Sequence, residues 1–193
     1  YFPDDPPRMG SRKVPFSRVL YIEQEDFMEV PVPKFFRLAP GREVRLRRAY
    51  IIKCVGVVKD EAGQVVELRC TYDPDSRGGD PKDGRKVKGT LHWVSEEHSL
   101  QAEVRLYDRL FAHDRPGTTE GVDFLQEINP DSLVTLQHSR VEKSLEQVTP
   151  GQRFQFERQG YFSVDSDTTP GRPVFNRIVT LKDTWARIMK GAK

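Results

Sequence analysis

The chain has 193 residues, 36% of them hydrophobic, and a formal net charge of +2. Its length allows one large domain or two small ones. A charge this close to zero excludes strong attraction of the whole molecule to nucleic acid, so any such binding has to come from local patches. No apolar run approaches the ~20 residues needed to span a bilayer.

The first seven residues, Tyr-Phe-Pro-Asp-Asp-Pro-Pro, have no signal-peptide features and do not begin with Met. They indicate a connector, and we therefore expect the chain to be a piece of a longer protein. The only cysteines, Cys54 and Cys70, are not in CxxC spacing. They are typical of small hydrophobic residues on strands, which favours a reducing, cytoplasmic location.

The most informative segment is 34–48, where six residues are Lys or Arg and one is Glu. Its second half alternates between two sides of a predicted strand, with Glu43, Arg45 and Arg47 on one side and Val44 and Leu46 on the other. Phe35 and Phe36 lie just upstream. Arginine forks beside flat rings suit single-stranded RNA, whose phosphates need cations and whose bases need stacking faces. The alternative is a solvated strand face whose charges pair with the acidic segment 21–30.

Most of the remaining chain predicts short strands separated by turns. Alternating or β-branched runs predict strands over residues 18–22, 43–46, 50–58, 65–72, 89–94, 102–107, 133–137, 153–157, 161–164 and 174–181. The runs 50–58 and 65–72, joined around Gly63, make the clearest hairpin. A second basic stretch follows at 82–88. Short strands with frequent turns favour barrels or sandwiches.

Helical signals are few. One or two turns are predicted over 123–128, ending before Asn129-Pro130, and a terminal helix over 182–189. The polar stretch 113–121 indicates a linker. We therefore expect a mainly β fold of two modules, 1–114 and 115–193, in which a strand of one half can complete the sheet of the other.

Residues for catalysis or metal binding are not clustered in the sequence. The four histidines are scattered, and no phosphate-binding loop of the Gly-Lys-Ser/Thr type occurs. The acidic stretch 73–83 does not have the order of a calcium loop and is typical of a solvated turn. We expect no active site, no metal and no cofactor in this chain.

Six motifs occur in a fixed order along nearly the whole chain, over about residues 8–185. They are Met9-Gly-Ser-Arg12 with Val14-Pro-Phe16; Phe36-Arg-Leu-Ala-Pro-Gly-Arg-Glu-Val-Arg-Leu-Arg47; Asp83-Gly-Arg-Lys-Val-Lys-Gly89 with His92-Trp-Val94; Arg105-Leu-Tyr-Asp-Arg-Leu-Phe111; Phe154-Gln-Phe-Glu-Arg158 with Gly160-Tyr-Phe162; and Val174-Phe-Asn-Arg177 with Asp183-Thr-Trp185. Together they closely resemble the C-terminal anticodon-binding region of the glutaminyl-tRNA synthetase family.

The resemblance implies the C-terminal part of a class I synthetase, built as two β-barrels proximal and distal to a catalytic core, with a few short helices. It implies that ATP and Mg bind in an upstream catalytic domain, whose His-Ile-Gly-His and Lys-Met-Ser-Lys type signatures have no counterpart here. The implied partners are tRNA(Gln) and that catalytic domain of the same polypeptide, with no membrane and a monomeric state. This chain would then select the tRNA and not perform the chemistry.

The resemblance also implies roles for individual residues. Arg37 would approach the third anticodon base, a guanine. Arg45 and Arg47 would hold the first anticodon nucleotide and its phosphate. Gln155 and Arg158 would address the central uridine, since a glutamine amide matches the mixed donor and acceptor edge of uracil.

Two positions depart from the family pattern. Lys34 is Gln in some members, and Phe36 replaces a Lys, so that Phe36 can stack on a base or simply pack. Strand alternation places Gln155 and Arg158 on opposite sides, so a bulge or a strand end has to intervene if both meet one base. Two alternatives stay open: the same region of a glutamyl-tRNA synthetase, and a stand-alone β-barrel RNA-binding or ribosomal protein.

Overall fold

The structure is a computed structural model that describes residues 10–118 and 120–181. These residues form eleven strands and four short 3₁₀ turns, which confirms the expected mainly β class. The 3₁₀ turns span Gln24–Asp26, Pro74–Ser76, Phe124–Glu127 and Lys143–Leu145. Closure of the strands into two β-barrels stays a prediction.

The chain divides into two compact units, Tyr1–His98 and Ser99–Lys193. The expected modules, 1–114 and 115–193, would divide the chain near residue 115. In the structure the strand Ser99–Tyr107, which precedes that point, pairs with strands of the second unit. The stretch expected as a linker also lies in this unit, where the buried Glu127 carboxylate accepts a hydrogen bond from the Gly117 backbone N–H.

The first unit contains six strands in two sheets. The strands are β1 (Leu20–Tyr21), β2 (Glu43–Leu46), β3 (Ile51–Lys59), β4 (Val65–Asp73), β5 (Thr90–Leu91) and β6 (Val94–Ser95). One sheet has the order β4-β3-β2-β5, with β2 and β5 parallel, and the other joins β1 to β6. The predicted strand 89–94 is therefore two strands, because the chain changes sheet at His92 and Trp93.

The β3–β4 hairpin confirms the clearest sequence prediction, with Gly63 in its turn at φ 78°. Below the sheet, buried apolar side chains form one core. Its members are Leu38, Val44, Leu46, Ala49, Ile52, Cys54, Leu91 and Trp93. This core packs against the Val44 and Leu46 face of β2, and the opposite face of the strand is partly exposed.

The second unit is a five-stranded sheet. Its strands are β7 (Ser99–Tyr107), β8 (Leu133–Glu142), β9 (Arg153–Phe156), β10 (Gly160–Val164) and β11 (Val174–Thr180), in the order β8-β7-β11-β10-β9. All pairs are antiparallel except β7 with β11. The core of this unit comprises Ala102, Val104, Val141, Phe162, Val164 and Phe175, with Phe154 and Phe156 packed against it.

The predicted helical turn over 123–128 is confirmed as a single 3₁₀ turn, Phe124–Glu127. Asp123 caps it by accepting a hydrogen bond from the Leu125 N–H at 3.0 Å. The predicted helix over 182–189 lies outside the described residues, as do the motif residues Met9 and Asp183-Thr-Trp185. Within the described residues no helix has the length and hydrophobicity required to cross a membrane.

Candidate nucleic-acid interface

Strand β2 has the two-sided character that its sequence predicts. Val44 and Leu46 are buried at 1% and 0% exposure, whereas Glu43 and Arg45 are partly exposed. The strand ends at Leu46, and Arg47 follows in a tight turn, exposed to solvent. The backbone of Arg47 is fixed on both sides, since its N–H donates to Leu91 and its carbonyl accepts from the Trp93 indole at 3.0 Å.

Arg45 has a carboxylate partner, although not in the acidic segment that the alternative interpretation invoked. Its Nη2 lies 2.9 Å from Oδ1 of Asp80, and its Nη1 donates to the Gly79 carbonyl. The Asp80 side chain is 96% exposed. An ion pair this open to water contributes only about 0–1 kcal/mol, so an RNA phosphate can replace Asp80 at little cost.

Arg37 is held more firmly. Its Nη1 lies 3.3 Å from Oδ1 of Asp26 and donates to the Glu25 carbonyl at 3.2 Å. The Asp26 side chain is fully buried, and that of Arg37 is 13% exposed. The Leu38 N–H donates to the Asp26 carbonyl, which ties the two segments together. The alternative interpretation expected the acidic segment 21–30 to pair with the arginines of β2. In the structure this segment pairs with Arg37 instead.

The two adjacent phenylalanines have opposite environments. Phe35 is 1% exposed and packs inside, whereas Phe36 is 52% exposed. The Lys88 ammonium lies 5.1 Å from the centroid of the Phe36 ring, within cation–π range. Lys34 precedes them in a turn with φ 66° and is exposed. Phe36 therefore presents a ring at the surface and has a cation beside it.

A surface cleft of about 430 Å³ opens beside Phe36. Its lining includes five cations and one carboxylate: Arg37, Arg42, Lys53, Lys86, Lys88 and Glu43. The basic stretch 82–88 thus comes next to the basic segment 34–48. Gly89 permits this approach, because a Cβ there would overlap the Phe36 carbonyl oxygen. Lys53 carried no signal in the sequence, since a single lysine on a strand is ordinary.

Arg85 anchors the second basic stretch through three carboxylates. Its Nε lies 2.9 Å from Glu43, and its two terminal nitrogens lie 2.6 Å from Asp73 and Asp83. Hydrogen bonds from the Arg85 side chain hold the pKa of Asp73 below its ordinary value. The backbone N–H of Arg85, followed by its side chain, does the same for the pKa of Asp83. Arg85 is therefore occupied within the fold, and it fixes the loop that carries Lys86 and Lys88.

In the second unit, Gln155 and Arg158 lie at the end of one hairpin. Gln155 is exposed on β9 and pairs with Tyr161 of β10, while Phe154 and Phe156 pack against the core. β9 ends at Phe156, and Arg158 lies in the following turn with φ 69°. Of the two possibilities that the sequence left open, a bulge or a strand end, the structure has the strand end, so Arg158 does not follow the strand alternation. That both residues meet one base stays a prediction.

The described residues contain no group of three or more His, Cys, Asp or Glu side chains that could hold a metal ion. What the site offers is guanidinium and ammonium groups, one exposed phenyl ring and an exposed amide. Guanidinium and ammonium groups suit phosphates, and exposed rings and amides suit base faces and base edges.

Comparison with known proteins gives matches along almost the whole chain. Two protein-family models match residues 1–73 and 90–165, and both are described as tRNA synthetases class I (E and Q), anti-codon binding domain. Glutamine–tRNA ligase of Bradyrhizobium diazoefficiens is 55% identical over 98% of this chain and 33% of its own length. Those of Nitrobacter hamburgensis and Pseudomonas putida are 57% and 56% identical over 96% and 92% of this chain, and 32% and 31% of their own lengths. The chain thus spans about a third of these curated relatives.

Proposed function

Because the chain belongs to the anticodon-binding domain family of class I tRNA synthetases for glutamate and glutamine, we propose that it selects tRNA(Gln) by reading the anticodon. The observation that carries this proposal is the identity of 55% over nearly the whole chain with a glutamine–tRNA ligase. In the full protein, a catalytic domain outside this chain attaches glutamine to the selected tRNA, using ATP and Mg. This chain supplies recognition only, in the cytoplasm, as part of a monomer.

The proposed contacts in the first unit follow from charge and exposure. Arg45 and Arg47 hold the first anticodon nucleotide and its phosphate from the solvent face of β2. Arg37 reads the third base, a guanine, since an arginine fork matches two acceptors on that base. The Asp26 contact favours this role, because it restricts the guanidinium to one orientation before RNA arrives.

Two neighbouring residues complete the proposed surface of the first unit. Phe36 stacks on an unpaired base, which is sequence-tolerant because every base has a flat face. Lys34, exposed in the preceding turn, contributes charge near the phosphate backbone. A lysine ammonium and a phenyl ring do not distinguish the edge of one base from that of another. We therefore assign specificity at the third base to Arg37.

In the second unit, Gln155 and Arg158 address the central uridine. The turn after Phe156 supports this proposal, because it frees Arg158 from the strand direction while Gln155 stays exposed on β9. Unpaired anticodon bases expose their Watson–Crick edges, and a glutamine amide can both donate to uracil and accept from it.

The test is the binding of the 193-residue chain to RNA hairpins that carry the anticodon loop of tRNA(Gln), with G or C at the third position. We expect the G hairpin to bind roughly 5- to 150-fold more tightly, the range for one bidentate arginine–guanine pair. Preference for C would favour the glutamyl-type alternative. Equal binding of unrelated loops would favour a stand-alone RNA-binding protein. Aminoacylation by this chain alone would contradict the division of labour.

A further inference from the structure

We propose that the cleft beside Phe36 is a binding site for the phosphate backbone of single-stranded RNA, held by Lys53, Lys86 and Lys88. This inference rests on the proposed function for the identity of the RNA. It assigns a phosphate site to residues outside the set that the family resemblance marks as anticodon-binding.

Three arginines near the cleft have carboxylate partners, whereas the lysines that line it have none among the described residues. Arg37 pairs with Asp26, Arg45 with Asp80, and Arg85 with three carboxylates. Among the described residues, Lys53, Lys86 and Lys88 form no ion pair, and the Arg42 side chain donates to the Phe35 carbonyl at 2.6 Å. These three lysines therefore carry positive charge that no carboxylate of the described residues neutralises.

The carboxylate in the cleft, Glu43, does not neutralise these lysines. Glu43 lies opposite Lys53 in the β2–β3 ladder, yet its Oε2 lies 2.9 Å from the Arg85 guanidinium. Arg85 in turn is shared with Asp73 and Asp83. Glu43 thus has an arginine partner, and the lysines of the cleft keep their charge for a ligand.

The two sides of the cleft are held in place before a ligand binds. Lys53 lies on β3, in the middle of the four-stranded sheet. Lys86 and Lys88 lie on a segment that Arg85 anchors at one end. At the other end, Gly89 lies against the Phe36 backbone, and its carbonyl accepts a hydrogen bond from the Arg45 N–H at 2.8 Å.

The ligand that fits is a phosphodiester of unpaired RNA. A volume of about 430 Å³ is within the range of about 300–1,000 Å³ typical of small-molecule sites. Lysine ammonium groups bind phosphate as point charges, and the exposed Phe36 ring at the edge of the cleft can stack on the adjoining base. Duplex RNA would offer phosphates but no unstacked base for this ring.

The experiment measures the salt dependence of binding between the 193-residue chain and a hairpin with the tRNA(Gln) anticodon loop. We expect the log–log slope to fall by about 0.7 in Lys53→Gln and about 1.4 in the Lys86→Gln/Lys88→Gln double variant. At 0.1 M salt this corresponds to roughly fivefold weaker binding per lysine. Lys82→Gln is the matched control, because Lys82 lies on the same stretch but does not line the cleft.

An unchanged slope in Lys53→Gln and in the double variant, with circular dichroism showing intact folds, would overturn the phosphate site. So would the absence of RNA binding by the unaltered chain, or equal competition by poly-glutamate at matched charge, which would assign the cleft to an acidic polypeptide. The proposed function fails separately, if the chain does not distinguish G from C at the third anticodon position. A reduced slope without that discrimination would support the cleft and overturn the proposed function.

Discussion

The Arg37 guanidinium lies 3.3 Å from a carboxylate oxygen of Asp26, whose side chain is completely buried. One residue is therefore both a structural partner of a buried charge and the proposed reader of the third anticodon base. Removal of Arg37 alone changes both properties, and experiments on recognition have to separate them.

We predict that Arg37→Ala destabilises the first unit and also reduces the preference for guanine. Breaking a buried ion pair costs up to about 3–5 kcal/mol, and the other contacts of Asp26 reduce that loss. The double variant Arg37→Met/Asp26→Asn should recover most of that stability, measured by urea unfolding, and still lack the preference for G over C. A double variant that regains the preference would show that Arg37 does not read the base.

We predict that Arg45→Gln/Arg47→Gln keeps the fold and weakens RNA binding. The core side of β2, formed by Val44 and Leu46, is unchanged, and the pair with Asp80 is too exposed to support the fold. The log–log salt slope should fall by roughly 0.7 for each phosphate that no longer has an arginine beside it. Salt titration by fluorescence anisotropy measures it, with Arg69→Gln as the control, since Arg69 lies on β4 of the same sheet and not on β2. An unchanged slope would assign both arginines to structure.

The Arg85 network predicts a defined response to acid. The pKa of Asp73 is lower in the folded chain than its ordinary value of ~3.9. The carboxylate therefore stabilises the fold above about pH 4, and this contribution is lost as the pH falls through the lower, folded pKa. NMR titration should show a depressed Asp73 pKa that rises towards the ordinary value in Arg85→Gln. An identical Asp73 pKa in both proteins would contradict the anchoring role.

The cysteine pair of the β3–β4 hairpin predicts low thiol reactivity. Cys54 and Cys70 face each other in the ladder. Cys70 is exposed on its strand, yet partial desolvation by its neighbours and then the Cys54 thiol raise its pKa to about 11. Since only the thiolate reacts, roughly one molecule in ten thousand is reactive at pH 7. The rate of Cys70 alkylation by iodoacetamide should rise with pH up to about pH 11. In Cys54→Ala the rate should level off at a lower pH. A plateau below about pH 9, near the ordinary thiol pKa, would contradict this prediction for the unaltered chain.

Replacement of Gly160 is expected to destabilise the second unit. Its φ is 151°, and a Cβ there would overlap the Val179 carbonyl oxygen. Gly160→Ala should destabilise this unit by more than the ~1 kcal/mol typical of a left-handed alanine. Gly151→Ala is the control, because Gly151 also has positive φ but open space around it. Equal losses of unfolding free energy in the two variants would show that only the backbone angle matters.

Local patterns predicted those features that depend on neighbouring residues. The alternation of Glu43–Leu46 indicated which side is buried. If Gln155 and Arg158 are to meet one base, strand alternation required a bulge or a strand end between them, and the structure has the strand end. The ion pair of Arg37 with Asp26 could not be predicted, because it depends on how two irregular segments pack. Lys53 was missed for the same reason: it becomes part of a basic cleft only when β3 lies beside the 82–88 stretch.

The order of strands also bears on how the chain folds during synthesis. Every strand of the four-stranded sheet has been synthesised once the ribosome passes Leu91. In the second unit, β7 can pair with its parallel partner β11 only after Thr180 has been synthesised. Late pairing of distant segments is slow and leaves strand edges open to aggregation. The first unit is therefore expected to fold on the ribosome while the second is incomplete. A chain that stops before Val174 would lack the middle strand of the second sheet, and its β7 and β10 would present unpaired edges.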